Sequence, residues 1–188
     1  STMWVYGAPA DGLLTESTPT APTDPYSAAH LHNESVLTDC AQDLGFDVSI
    51  LRMANLVGPD PFYRYRSKVS FAHELVEMAV RDKMIVLRSP PSTPRNLLTR
   101  TLLHHDLSVL LDRHAVEGQV DVFNLGSSST TTMVGLARQV VDLAERYHGR
   151  PVAVEHPEES VAQPAFHPDT TRIRSLAGPG TDALSPEW

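Results

Sequence analysis

A single cysteine, Cys40, is all the chain holds. That excludes an internal disulfide framework and suits a reducing, cytoplasmic compartment. No apolar run approaches the roughly 20 residues of a membrane span. Ser1-Thr2-Met3-Trp4 has neither the basic start nor the apolar core of a secretory signal. Basic charge is also scarce: the formal net charge is −8, whereas a nucleic-acid binder carries a basic footprint. An anionic small molecule stays possible, because a few local arginines outweigh a distant negative field. No glycine cluster of the dinucleotide-binding kind occurs anywhere in residues 1–188, and no internal repeat is present.

What is there is a chain of 188 residues, 41% hydrophobic, with 15 prolines and 10 glycines dispersed along it. That is enough for one domain with a sizeable core. Met3 to Tyr6 reads as the end of a short buried strand, and 8–25 as a surface loop rich in Pro, Thr and Asp. Asp24 is placed to cap a helix with Pro25 in its first turn and Gly45 as its stop. Tyr26, Ala29, His30, Val36, Leu37, Cys40 and Leu44 recur at helical spacing and predict its buried face, with Cys40 as a small buried hydrophobe.

Strands are expected at 46–53, 84–87, 120–126 and 151–155. Helices are expected at 69–82, 106–114 and 132–148, the last capped by a hydroxyl of the polar turn at 127–131. Asn55 to Tyr65 and Ser89 to Pro94 read as loops, and the pattern weakens into a tail after His156. Strands alternating with helices predict an α/β fold with a largely parallel sheet. Such sheets bind ligands at the carboxyl ends of their strands, where Thr2 to Gly7, Met53 to Asn55 and Gly126 would fall.

The most chemically suggestive pair is Tyr26 and His30, four residues apart on one helix face. A tyrosine acts as acid or base toward a carbonyl or an alcohol when a neighbouring cation lowers its pKa from about 10. Imidazole, with a reference value of about 6.5, does this more weakly than a lysine. His104, His105 and Asp106 are adjacent and so point apart on a helix, which is poor metal geometry, and no metal site is expected.

Thr2, Val5-Tyr6-Gly7, Glu16, Pro19 and Tyr26-x-x-x-His30 together resemble the catalytic segment of the extended short-chain dehydrogenase/reductases, the NAD-dependent epimerase/dehydratase type that modifies nucleotide sugars. Ile50 to Pro59 is similar to that family's Leu-Arg-x-x-Asn-x-Tyr-Gly-Pro stretch, Phe123-Asn124-Leu125-Gly126 to its Phe-Asn-Val-Gly, and Asp169 to Leu176 to its Asp-x-x-Lys/Arg-x-x-x-Leu. The resemblance implies the C-terminal part of a Rossmann-type doubly wound parallel sheet with a smaller α/β substrate-binding region. Residues 1–57 would close the Rossmann-type part. Residues 58–188 would mainly hold substrate, with 98–126 returning to the core sheet.

The resemblance assigns Tyr26 as acid/base, Thr2 as the hydroxyl that orients the reacting oxygen, and His30 in the place of the family's lysine. Tyr26, His30, Met53 and Ala54 would touch an NAD or NADP cofactor, and Tyr6 and Asn55 the substrate. The arginine that grips the diphosphate has two candidates, Arg95 and Arg100. Arg100 stands one residue too close to Asp106-Leu107 and Arg95 too far.

The implied function is ketoreduction or 4-epimerisation of a nucleotide-linked sugar, with deoxysugar 4-ketoreduction the narrower expectation. Dehydration is disfavoured, because Met3-Trp4 stands where the dehydratases have Asp-Glu. A catalytically degenerate binding subunit, or the same fold with non-redox chemistry, is the alternative that His30 raises. The main cofactor cradle is expected in an N-terminal half outside residues 1–188. Stability is then expected only beside that half or a partner chain, with a homodimer as the assembly.

Overall fold

A computed structural model describes residues 1–7, 12–58, 70–114, 116–158 and 167–178. The chain opens with a 3-10 turn, Met3–Tyr6, capped by the Thr2 side chain. The strand expected there is confined to Thr2, which bridges Met53 in parallel. Gly7 turns the chain away with a φ of 70°. A side chain at Gly7 would meet the Ala21 carbonyl oxygen at 2.2 Å, so the turn requires glycine on two counts.

The loop that follows contains β1 (Leu13–Leu14) and ends at α1 (Pro25–Leu44). Asp24 caps α1 by accepting from the Tyr26 and Ser27 amides at 2.9 and 3.0 Å, and Gly45 stops it in the left-handed region. The ends are as the sequence predicts, but the buried face is not. Ser27, Glu34 and Ala41 face inward, while Val36, Leu37 and Leu44 are exposed and Cys40 is half-buried. The helix lies against the 3-10 turn and the strand β2 (Val48–Met53). Small residues allow that approach, and a buried carboxylate meets a buried arginine there, so the inward face is not the apolar stripe.

β2 pairs in parallel with β6 (Val120–Leu125) over six residues, from Val48 beside Val120 to Met53 beside Leu125. A second layer is built from β3 (Asn55–Val57), β5 (Pro94–Thr99) and β7 (Thr130–Thr132), where β3 and β5 run parallel and β5 and β7 antiparallel. β3 falls where the sequence predicts a loop, and β5 is not predicted at all, because a three-residue strand and one beginning Pro-Arg-Asn offer little alternation. β4 (Met84–Val86) pairs in parallel with β8 (Ala153–Glu155). β9 (His167–Pro168) pairs in parallel with β1, drawing back a segment that reads as tail.

Helices α2 (Phe71–Arg81) and α4 (Met133–His148) pack together and bury Leu75, Ala79, Leu136, Ala137 and Val140 with Ile85 and Leu97. The predicted stripe holds on α4 and, on α2, at Ala72, Leu75, Val76 and Ala79, while Val80 is exposed and Val69 lies outside the described residues; Thr132 caps α4. Helix α3 (Arg100–Leu111) starts six residues before its predicted start, capped by Thr99. Helix α5 (Thr171–Ala177), unpredicted, seats Ile173 in a second cluster with Leu98, Leu102, Phe123 and Leu125. An ion pair between buried Asp106 of α3 and Arg174 fastens α5. Beyond Gly58, the loop expected to run on to Tyr65 lies outside the described residues, as do 8–11 and most of the tail.

Candidate active site

The carboxyl ends of β2 and β6 meet the 3-10 turn and the first turns of α1. Thr2 is buried there, and its hydroxyl oxygen accepts from the Trp4 amide at 3.4 Å. Met53, its bridge partner, and Ala54 are half-buried at the end of β2, where the Ala54 amide donates to the Leu125 carbonyl at 2.8 Å. On α1, the Tyr26 and His30 rings lie edge to face with centroids 4.6 Å apart. Tyr26 is 60% exposed and His30 half-buried. The helical spacing therefore delivers the contact that the sequence implies.

What holds these pieces is a buried polar network. Arg52, projecting from β2, donates from Nε to both Glu34 oxygens at 3.1 and 3.2 Å and from Nη2 to Oε2 at 2.7 Å. Its Nη1 donates to the Tyr6 hydroxyl at 3.0 Å and to the Glu16 carbonyl at 3.4 Å. The Tyr6 hydroxyl donates to Asn124 Oδ1 at 2.7 Å, and the Asn124 backbone N–H donates to Glu16 Oε1 at 2.9 Å. Asn124 also ties down Leu14 by donating to its carbonyl at 2.8 Å. Five segments are thus joined at one place: the 3-10 turn, the loop through Glu16, α1, β2 and β6.

The electrostatics follow. Burial pushes the Tyr6 phenol up, against the downward pull of Arg52 and Asn124, and it stays the neutral donor. Burial pulls the Arg52 guanidinium down, but the Glu34 and Tyr6 hydrogen bonds and charges more than offset this and leave it raised. Tyr6, assigned to substrate by the resemblance, is 2% exposed and spends its hydroxyl inside this network.

A cavity of about 120 Å³ lies beside β5, lined by Arg95, Leu97, Thr99, Leu102, Ser127, Ser129 and Thr131. Arg95 is half-buried, stacked over the Phe71 ring at 5.2 Å, and donates to the Pro94 carbonyl at 3.0 Å. It has no carboxylate partner among the described residues, and burial lowers its pKa. A half-buried guanidinium with no carboxylate beside it has the chemistry to receive an anion. Of the two candidate arginines the structure brings Arg95 to the cavity. Arg100 sits in the first turn of α3, its stem against Gly58. Asp106, from which the two spacings are counted, is an interior residue of α3 paired with Arg174. Asn55 donates from its side chain to the Asn96 carbonyl at 3.0 Å and so links β3 to β5 beside this cavity.

Sequence reasoning missed Arg52 as the centre of the network and Asn96 behind the cavity. A signal existed for the first: Arg52 breaks an apolar strand at a position that period-2 alternation turns inward. A charge buried there demands a partner, and Glu34 is the acid that α1 presents.

The sequence pattern of the NAD dependent epimerase/dehydratase family matches residues 1–95. The UDP-glucose 4-epimerase of Azospirillum brasilense is 33% identical over 122 residues, covering 62% of this chain and 34% of that protein. The UDP-glucose 4-epimerase of Halalkalibacterium halodurans is 25% identical over 176 residues, 88% of this chain and 52% of that one. The chain therefore spans a third to a half of the length of these curated relatives. The crystal structure of Thermotoga maritima UDP-glucose 4-epimerase with UDP-glucose superposes with a TM-score of 0.77 at 20% identity, covering 100% of this chain and 58% of that one. At that identity the likeness speaks for the fold alone. With the family match running over residues 1–95, half of its length, the chain belongs to the NAD dependent epimerase/dehydratase family.

Proposed function

We propose that this chain supplies the acid/base and substrate-holding part of an enzyme that acts on carbon 4 of a nucleotide-linked sugar, by 4-epimerisation or 4-ketoreduction. Deoxysugar 4-ketoreduction is the narrower form. The observation that carries the reading is the Tyr26–His30 ring contact on the helix that packs against the Thr2 turn at the carboxyl end of β2. The curated relatives include UDP-glucose 4-epimerases and dTDP-D-glucose 4,6-dehydratases.

In this reading the Tyr26 hydroxyl gives its proton to the carbonyl oxygen of a 4-keto sugar, or takes the proton of a 4-hydroxyl in reverse. Thr2 donates to the same oxygen and fixes its position. His30 takes the lysine's place, as a hydrogen-bond donor toward the ribose. Arg95 neutralises the diphosphate, with Arg100 and Asn55 nearby on α3 and β3. The dinucleotide cofactor, NAD or NADP, supplies or accepts the hydride. Tyr26, His30 and the β2 end at Met53 and Ala54 suit its nicotinamide and ribose in chemistry: a phenol, an imidazole and a half-buried apolar strand end. Its phosphates call for a glycine-rich turn that residues 1–188 do not contain. The site is therefore completed by a dinucleotide-binding unit outside them, with residues 1–57 forming the cofactor side and 58–188 mainly the substrate side. A homodimer is the proposed assembly.

The test uses the protein as its gene encodes it in full. NADH or NADPH binding is followed by fluorescence, and turnover is assayed on UDP-glucose and on a 4-keto deoxysugar nucleotide. Tyr26→Phe is expected to lower kcat by about 10²–10⁴-fold with dinucleotide binding retained. His30→Lys is expected to raise turnover at neutral pH. Absence of dinucleotide binding eliminates the proposal. His30 also favours a second reading, a binding subunit without turnover. That reading is sustained if sugar nucleotide binds, no turnover occurs and His30→Lys does not produce it.

A further inference from the structure

Asn96 is fully buried on β5, next to Arg95. Alternation along β5 turns Arg95, Leu97 and Thr99 to the cavity and Asn96 to the opposite side. Its side-chain nitrogen donates to the carbonyls of Ser127 and Ser129 at 2.9 and 3.1 Å and to the Thr130 hydroxyl at 3.2 Å. Its side-chain oxygen accepts from the Ser127 amide at 3.0 Å. One amide thus satisfies both ends of the turn between β6 and β7. The turn runs so close that a side chain on Gly126 would lie 2.4 Å from Asn96 Oδ1. Three residues of the cavity wall, Ser127, Ser129 and Thr131, are carried by this turn or the strand it feeds.

We infer that Asn96 is a positioning residue: it fixes the Ser127–Thr131 wall beside Arg95, whose ladder partner is Thr131, so that the cavity grips the diphosphate of a nucleotide sugar. The inference rests on the proposed function, in which Arg95 meets that diphosphate. An amide is required because the task needs a donor and an acceptor on one planar group. A carboxylate at position 96 accepts from Ser127 N–H but faces the Ser127 and Ser129 carbonyls with negative charge and no hydrogen to give. An alanine removes all of these bonds and leaves the Ser127 amide only the Leu97 carbonyl, at 3.0 Å.

The probe is UDP, titrated calorimetrically into the protein encoded in full, with NADH binding and the melting curve as controls. Arg95→Ala weakens UDP binding by removing the charge. Asn96→Asp and Asn96→Ala weaken it by about tenfold to a hundredfold, the scale of an ångström misplacement of a binding group, while NADH affinity stays within about twofold, because neither Met53 nor Ala54 lines the cavity. A structural role alone would shift melting without this selective loss.

Hydrogen exchange of the wild-type protein gives a second readout that survives a variant that fails to fold. The Ser127 to Thr131 amides gain protection when UDP is added. Asn96→Asp binding UDP as tightly as wild type while Arg95→Ala does not overturns the positioning role and leaves the proposed function standing. Unchanged exchange at Ser127 to Thr131 under saturating UDP overturns it as well. UDP affinity indifferent to Arg95→Ala overturns the diphosphate reading of the cavity itself.

Discussion

Replacing Glu34 by alanine tests the network that assembles the site. Both side chains of the Glu34–Arg52 pair are only 8% exposed, so neither charge is dissolved in water. Glu34→Ala removes three contacts of the guanidinium, at 2.7, 3.1 and 3.2 Å. It leaves a buried cation with the Tyr6 hydroxyl and the Glu16 carbonyl as its remaining acceptors. Breaking a buried pair from one side costs about 3–5 kcal/mol. The two surviving acceptors place this case near the lower end, about 3 kcal/mol.

The exposed pair Arg81–Glu77 on α2, 72% and 32% exposed, is the internal control. Glu77→Ala there is expected to cost no more than about 0.5 kcal/mol. Urea denaturation with slopes compared across variants gives the numbers, and the double variant Glu34→Leu/Arg52→Met separates the causes. If the penalty is the stranded charge, the double variant recovers most of the loss, because apolar groups of similar volume replace a desolvated pair at little cost. A Glu34→Ala loss below about 1 kcal/mol, or a double variant worse than the single, refutes the reasoning.

Three further outcomes follow from the same structure. Hydrogen bonds from Ser27 hold the Asp24 carboxyl below its ordinary value. A depressed folded value means stability that is present above the unfolded pKa of about 3.9 and lost as pH falls through the lower, folded one. Exchange at the Tyr26 and Ser27 amides should accelerate over that acid range, and Asp24→Asn should flatten the dependence while keeping a cap. Tyr6 has the opposite sign: burial raises its phenol above 10.0, so its contribution is intact below about 10 and is lost as pH rises through the folded value. Tyr6→Phe should remove that alkaline component of unfolding followed by circular dichroism. Gly126→Ala should destabilise by about 1–3 kcal/mol through overpacking, since the new carbon would meet Asn96 Oδ1 at 2.4 Å and Pro168 Cγ at 2.9 Å; a neutral result in thermal melting rules out that crowding.

Much of the fold is legible in the sequence where local chemistry is strong. Asp24-Pro25 and Gly45 mark the ends of α1 because caps act within a few residues. The stripes of α2 and α4 predict their burial because they pack against one another over an apolar seam. The inward face of α1 is illegible for the converse reason. Its burial is decided by Arg52, eighteen residues beyond Glu34, and not by its own hydrophobicity. β3, β5, β9 and α5 escape notice because their pairing is long-range: Asn55 with Leu97, and Leu13 with His167. Short elements of that kind are stabilised by partners that no window along the chain contains.

The site divides along the same line. Tyr26 and His30 are legible because four residues on a helix bring two rings together without outside help. Arg95 is legible only as an arginine, since the strand that turns it into a cavity is invisible until β3 and β7 are seen on either side. Arg52 carries the larger consequence. Thr2 lies in the segment that Tyr6 anchors, and Tyr26 lies on the helix that Glu34 anchors, so one guanidinium sets the distance between the two groups on which the proposed chemistry depends. A substitution there should therefore lower kcat as well as stability. With UDP affinity at the Arg95 cavity unchanged, the same variant would separate the assembly of the reacting groups from the holding of the substrate.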